Sequence, residues 1–271
     1  MMTAETIGFI GGGNMAEALV RGLLAQGQPA GMIVVADPSP ARQGLMRDRY
    51  GIRVAADNEA VVSESRLVVL AIKPQMAADV APELSPRLTA EHLVVSILAG
   101  TATATLERML GGTARVVRAM PNTPALIGCG ATAICAGRFA TDADLETAAA
   151  LFRAVGSVNI VSEAQMDAVT GLSGSGPAYV FTVIEALAEG GAREGLPREV
   201  ALELATLTVL GAAKLVDESG EDPASLRQKV CSPGGTTLAG LTALEDGKLR
   251  DALIEAVARA TRRSKELGQG K

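Results

Sequence analysis

Thr6-Ile7-Gly8-Phe9-Ile10-Gly11-Gly12-Gly13-Asn14-Met15-Ala16 is the stretch that decides the fold of this 271-residue chain. An apolar run predicts a buried strand, three glycines a tight turn, and residues 16–26 a helix. That helix carries Leu19, Val20, Leu23 and Leu24 on one face and a Glu17/Arg21 pair on the other. Gly11, Gly13 and Ala16 satisfy G-x-G-x-x-A. Glycines let the backbone approach a pyrophosphate, whose charge then rests on the helix N-terminus. Asp37 follows the next apolar run, where a carboxylate holds a ribose 2′-hydroxyl. Strand, turn, helix and acid agree on a dinucleotide site.

Working outward, candidate strands fall at 6–10, 32–36, 67–72, 93–97 and 115–118, lacking polar–apolar alternation as strands buried on both faces should. Ser39-Pro40 reads as an N-cap and first-turn proline opening another helix. Alternating strands and helices predict a doubly wound parallel sheet. The pattern changes near residue 160. Helical periodicity alone runs through 162–172, 177–195, 197–219, 223–230, 236–246 and 248–267. The expected fold class is therefore α/β: a Rossmann-like domain over 1–161, followed by an all-helical domain over 162–271. The stretch 200–213 is nearly apolar all round, and about 110 residues offer little surface to hide it. Burial against a second subunit is the expected solution.

Composition narrows the function. Hydrophobic residues make up 48% and charged residues 20%, which excludes a disordered chain. Aromatics at 2% leave little for base stacking, and a net charge of −5 without a basic stripe disfavours phosphate tracking, so no nucleic-acid partner is expected. Cys129, Cys135 and Cys231 show no C-x-x-C spacing, and His92 is the single histidine, so neither a disulfide framework nor a metal site is expected. Residues 1–6 are too short and unbasic for a signal peptide, and no apolar run is long enough to span a bilayer. A cytoplasmic protein with no membrane partner is the expectation.

Ala71-Ile72-Lys73-Pro74 and Leu98-Ala99-Gly100 end two strands, the edge where open parallel sheets bind ligands. The stretches 171–178 and 232–237 break or precede helices and are expected to offer free backbone N–H groups and hydroxyls to a carboxylate. Phe9–Ala16, Ala71–Pro74, Arg118-Ala119-Met120-Pro121-Asn122-Thr123-Pro124, Ser173–Tyr179 and Cys231–Thr237 resemble the pyrroline-5-carboxylate reductase family over essentially the whole chain. The resemblance implies reduction of 1-pyrroline-5-carboxylate to L-proline, the last step of proline synthesis. It also implies NADP or NAD as cofactor, a helical dimerisation domain, a homodimer and often a ring of dimers. By it, Gly11, Gly13, Asn14, Met15, Ala16, Asn58, Ala71, Ile72, Lys73 and Ala99 fall on the cofactor. Ser175, Gly176, Gly235, Thr236 and Thr237 fall on the substrate, with Thr237 near the ring nitrogen as the catalytic candidate.

The residue inventory fits that reaction. Ketone reduction creates an alkoxide and wants a positioned proton donor. His92 stands at the sheet end opposite the glycine turn and is expected to be a surface residue. A protonated cyclic imine needs no proton transfer in the hydride step. The glycines at 171, 174 and 176 also match β-hydroxyacid dehydrogenases, but Val180 and Ile184 stand where that family needs Lys and Asn. A non-catalytic dinucleotide-sensing dimer is the remaining alternative, separated by an assay for turnover. On the cofactor, Asp37 favours the free 2′-hydroxyl of NADH, while Ser39 and Arg42 would receive a 2′-phosphate if Asp37 turned aside. Dual use is the expectation.

Overall fold

A computed structural model describes residues 5–268; residues 1–4, part of the lead read above, and 269–271 lie outside them. The strands are β1 (Ile7–Ile10), β2 (Ile33–Ala36), β3 (Arg53–Val54), β4 (Leu67–Leu70), β5 (Leu93–Ser96), β6 (Arg115–Met120), β7 (Gly130–Ala136) and β8 (Gly156–Ile160). They form one sheet in the order β3-β2-β1-β4-β5-β6-β7-β8. All neighbours run parallel except β6 and β7, which pair antiparallel. The first six strands have the order of a dinucleotide-binding sheet, with its reversal between β1 and β4.

Helices α1 (Asn14–Ala25), α2 (Pro40–Tyr50), α3 (Asn58–Glu64), α4 (Ala77–Leu84), α5 (Thr103–Met109) and α6 (Asp142–Arg153) connect the strands. Successive strand residues point to opposite faces, and the core divides accordingly. Ile7, Phe9, Val35, Val69 and Val95 pack with Leu19, Leu23 and Phe152 on one side. Ile10, Val34, Val68 and Val94 pack with Leu84 and Leu106 on the other. This two-sided burial is why β1, β2, β4 and β5 read as nearly unbroken apolar runs. Local signals set the helix starts: Ser39 caps α2 with Pro40 in its first turn, and Thr141 and Asp144 form a reciprocal capping box on α6.

The chain divides into two compact units. One runs to Ser175 and takes in the chain from Ala258 onward; the other spans Gly176–Val257. The first unit therefore extends past residue 161. It includes the 3-10 turn Glu163–Gln165, helix α7 (Met166–Val169) and a π-helical turn, Thr170–Gly174. Side-chain bonds to β6 and to the segment following it hold these pieces, as described below. The second unit contains α8 (Gly176–Arg193), α9 (Arg198–Ser219), α10 (Pro223–Lys229), α11 (Thr236–Asp246) and the first part of α12 (Leu249–Gly268). Within it α8 packs on α9, and the Tyr179 hydroxyl donates to the Ala256 carbonyl at 3.4 Å. Its buried apolar residues among those described are only Ala188, Ala201 and Ala205.

Several expectations are corrected in detail. Strands β3, β7 and β8 are additional, and the antiparallel β7 makes the sheet mainly rather than wholly parallel. Glu17 pairs with Arg42 rather than with Arg21, whose guanidinium instead reaches the Leu126 carbonyl. The expected helix 162–172 is a 3-10 turn, one α turn and a π turn in succession.

Candidate active site

The C-terminal ends of β1, β2 and β4 converge at the reversal of strand order. Gly11 donates its N–H to the Ala36 carbonyl at 2.8 Å, and Ala71 donates to the Ile10 carbonyl at 2.8 Å. Gly11 has φ +95°, and a methyl group there would lie 2.6 Å from the Ala71 carbonyl oxygen, so this position requires glycine. Ala71 and Ile72 are thus in direct contact with the glycine turn. Gly13 is the N-cap of α1, exposed, with nothing within 4 Å of where a side chain would begin. No side chain caps the first turn, and Asn14, Met15 and Ala16 form it. An open helix N-terminus at the reversal fits a pyrophosphate, so the residues present fit a dinucleotide.

Asp37 completes the turn. Its carboxylate accepts from the Gly12 N–H at 2.7 Å and from the Ser39 N–H at 2.8 Å. Arg42 on α2 donates through Nε to the Gly12 carbonyl at 2.5 Å and through its terminal nitrogen to Glu17 at 2.8 Å. The Tyr50 hydroxyl donates to the other Glu17 oxygen at 2.8 Å. Burial pushes the Glu17 carboxyl up, but the bonds from Tyr50 and Arg42 outweigh it and hold the group below its ordinary range. Tyr50 is shifted up, by burial first and then by its carboxylate partner.

The other expected cofactor residues lie around the same edge. Lys73 is exposed at the start of a short 3-10 turn, Pro74–Met76. Asn58 is the first residue of α3, and its amide donates to Glu83 at 3.0 Å. Ala99 lies in the loop after β5, next to Gly100, which packs closely against Ser264 and Leu267 of α12.

Ser175 and Gly176 follow the π turn. The stretch 171–178 is helical, not the open loop expected: the Ser175 N–H donates to the Thr170 carbonyl at 2.9 Å. Two residues of the Arg118–Pro124 motif brace this segment. Asn122 donates from its amide nitrogen to the Ser173 carbonyl at 3.0 Å and accepts from the Ala131 N–H at 2.9 Å. Arg118, 2% exposed, is ion-paired with Glu163 and stands 3.7 Å from Asp167. Glu163 also accepts from the Thr103 N–H at 3.1 Å, while Asp167 accepts from Ser264 at 2.7 Å. Burial raises the Glu163 carboxyl, but the bonds from Thr103 and Arg118 prevail and lower it. Neither role was read from the sequence. The available signal was an arginine on the strand read over 115–118, which demands an acidic partner if buried.

Gly235, Thr236 and Thr237 form a separate cluster in the helical unit. Gly235 is the N-cap of α11, whose first turn has no side-chain cap, and Thr236 and Thr237 are its first two residues. Thr237 is half-buried. His92 precedes β5 at the opposite sheet end. It is half-buried rather than a free surface group, bonded to Thr89 and 3.3 Å from the Val62 carbonyl. Among the described residues no group of three or more His, Cys, Asp or Glu side chains is placed to hold a metal ion, and no helix is long and apolar enough to cross a membrane.

Comparison with known proteins adds three kinds of likeness. Residues 163–267 match the family described as pyrroline-5-carboxylate reductase dimerisation, and residues 6–100 match NADP oxidoreductase coenzyme F420-dependent. A pyrroline-5-carboxylate reductase of Synechocystis is 47% identical over 97% of this chain and 98% of its own length. The structure of a pyrroline-5-carboxylate reductase from Coxiella burnetii superposes with a TM-score of 0.92 at 40% identity, over 98% of this chain and 99% of that one. A Plasmodium falciparum pyrroline carboxylate reductase with NADP bound superposes with a TM-score of 0.90 at 30% identity, over 99% and 100%.

Proposed function

The chain belongs to the pyrroline-5-carboxylate reductase family, and from that membership we propose that it reduces 1-pyrroline-5-carboxylate to L-proline with NADPH or NADH. The observation that carries the reading is the full-length likeness together with an open glycine turn and helix N-terminus at the sheet reversal. When bound, the nicotinamide supplies a hydride to the carbon of the C=N bond. Gly11, Gly13, Asn14, Met15, Ala16, Asp37, Asn58, Ala71, Ile72, Lys73 and Ala99 hold the cofactor. Ser175, Gly176, Gly235, Thr236 and Thr237 hold the substrate.

The division of labour follows from the residue types. Backbone N–H groups at the start of α11 suit the substrate carboxylate. The Thr237 hydroxyl accepts a hydrogen bond from the protonated ring nitrogen, and hydride added to the C=N carbon moves the π pair onto that nitrogen to give the secondary amine directly. No further proton is transferred in that step, and orientation with exclusion of water supplies the rate. In this reading residues 1–161 form the dinucleotide domain and 162–271 the substrate and dimerisation domain. The exposed leucines of α9 are covered by a second copy, giving a cytoplasmic homodimer and, by assembly of such pairs, a ring of dimers.

The test is oxidation of NADH and NADPH, side by side, with pyrroline-5-carboxylate. Thr237→Val is expected to lower kcat by roughly one to three orders of magnitude, as for loss of one positioned hydrogen-bonding group at a reacting centre. His92→Gln is expected to leave turnover close to the parent. Wild-type kcat in Thr237→Val, or a folded but inactive His92→Gln, would contradict the assignment.

A further inference from the structure

The rim of the glycine turn carries three linked charges. Asp37 is bonded to the Gly12 and Ser39 N–H groups at 2.7 and 2.8 Å, so its carboxylate is fixed facing the turn and is not turned aside. Each carboxylate oxygen keeps a second lone pair, which leaves room to accept a hydroxyl but none to welcome a phosphate. The nearby cation, Arg42, is committed twice, to the Gly12 carbonyl and to Glu17. Glu17 is fixed in turn by the Tyr50 hydroxyl, with Arg49 3.8 Å away. The start of α2 is committed in part, the Ala41 N–H excepted. The Ser39 N–H is on Asp37, Pro40 has none, and the Arg42 N–H lies 3.5 Å from the Ser39 hydroxyl.

We propose that Glu17 withholds Arg42 from a cofactor 2′-phosphate and, with Asp37, makes this chain prefer NADH over NADPH. The proposal rests on the glycine turn being the dinucleotide site. A 2′-phosphate brought to this rim meets the Asp37 carboxylate and an arginine whose charge is already matched. A ribose 2′-hydroxyl meets only an acceptor. Glu17 is therefore a specificity residue acting through Arg42, although it lies on α1 outside the glycine motif.

Calorimetric titration of the full-length protein with NADH and with NADPH, in the absence of substrate, tests this. The wild type is expected to bind NADH about tenfold more tightly, the size of one unscreened charge repulsion. Asp37→Ser is expected to remove most of that ratio. Glu17→Gln is expected to move it roughly fivefold toward NADPH, and the shift is expected to vanish in Glu17→Gln/Arg42→Ala. Tyr50→Phe, which loosens Glu17 without removing its charge, is expected to move the ratio the same way by less. NADPH binding as tight as NADH in the wild type, or a ratio that Glu17→Gln leaves unmoved, overturns the proposal. Failure of both dinucleotides to bind overturns it together with the reading of the turn. Binding of both without oxidation by pyrroline-5-carboxylate overturns the proposed reaction and leaves this inference standing on its ratio.

Discussion

In the sheet unit Leu19, Leu23, Leu84 and Leu106 are no more than 1% exposed, whereas in the helical unit Leu202, Leu204, Leu207, Leu210 and Leu215 are 49–54% exposed. The two regions are built from the same aliphatic residues. The sheet buries both faces of its inner strands under its own helices, so those strands find their partners within the chain. Helix α9 is apolar on more faces than α8 alone covers. Five half-exposed leucines on one helix amount to a patch that a monomer rarely leaves in water. A domain therefore need not be self-sufficient to be specified: the sheet unit has a core of its own, and the helical unit has half of one.

Charging α9 should break this contrast most severely. Leu207→Glu with Leu210→Glu forfeits about 1.5–3 kcal/mol of burial at each position and places two carboxylates in an apolar contact. The expected result is dissociation, with loss of turnover and a melting temperature that no longer depends on protein concentration. Size-exclusion chromatography with light scattering, repeated over a dilution series, checks it.

Within the sheet unit the largest polar effect should come from Arg118→Ala. It leaves Glu163, and the nearby Asp167, without their buried cation, at a cost of roughly 3–5 kcal/mol. Because that loss lies inside one unit, urea unfolding should show it equally at every protein concentration. Ile127→Glu gives the smallest effect. Ile127 is more exposed than any of the α9 leucines, yet no assembly surface is assigned to it. The expected change is within about 0.5 kcal/mol, with the assembly intact; dissociation by this variant would erase the distinction between the two regions.

What the sequence revealed follows the same division. Strands β1, β2, β4 and β5 were legible because two-sided burial demands mostly apolar runs, and β6 by its Val116-Val117 pair. Strand β3 has two residues, too few for any pattern. Strand β7, Gly-Ala-Thr-Ala-Ile-Cys-Ala, is built mostly of small residues that fit helix or strand, and β8 is a largely exposed edge strand. The helices beyond residue 176 were legible to within a few residues, since helical periodicity survives whichever partner covers the apolar face. The glycine turn and Asp37 were visible as a motif because a tight approach admits few residue types. The bonds from Glu17 to Arg42 and from Asn122 to Ser173 were not visible. They join residues 25 and 51 positions apart and depend on three-dimensional placement alone. The π turn was hidden for a related reason: its glycines and serines read as a break, while the structure keeps them helical and lets Asn122 take up the Ser173 carbonyl.

Light scattering of the wild-type protein at micromolar concentration tests most directly whether a second copy of this chain completes the helical unit. The expected mass is that of two chains or an even multiple of two, with no folded monomer on dilution. A stable, folded monomer with α9 open to solvent would contradict it.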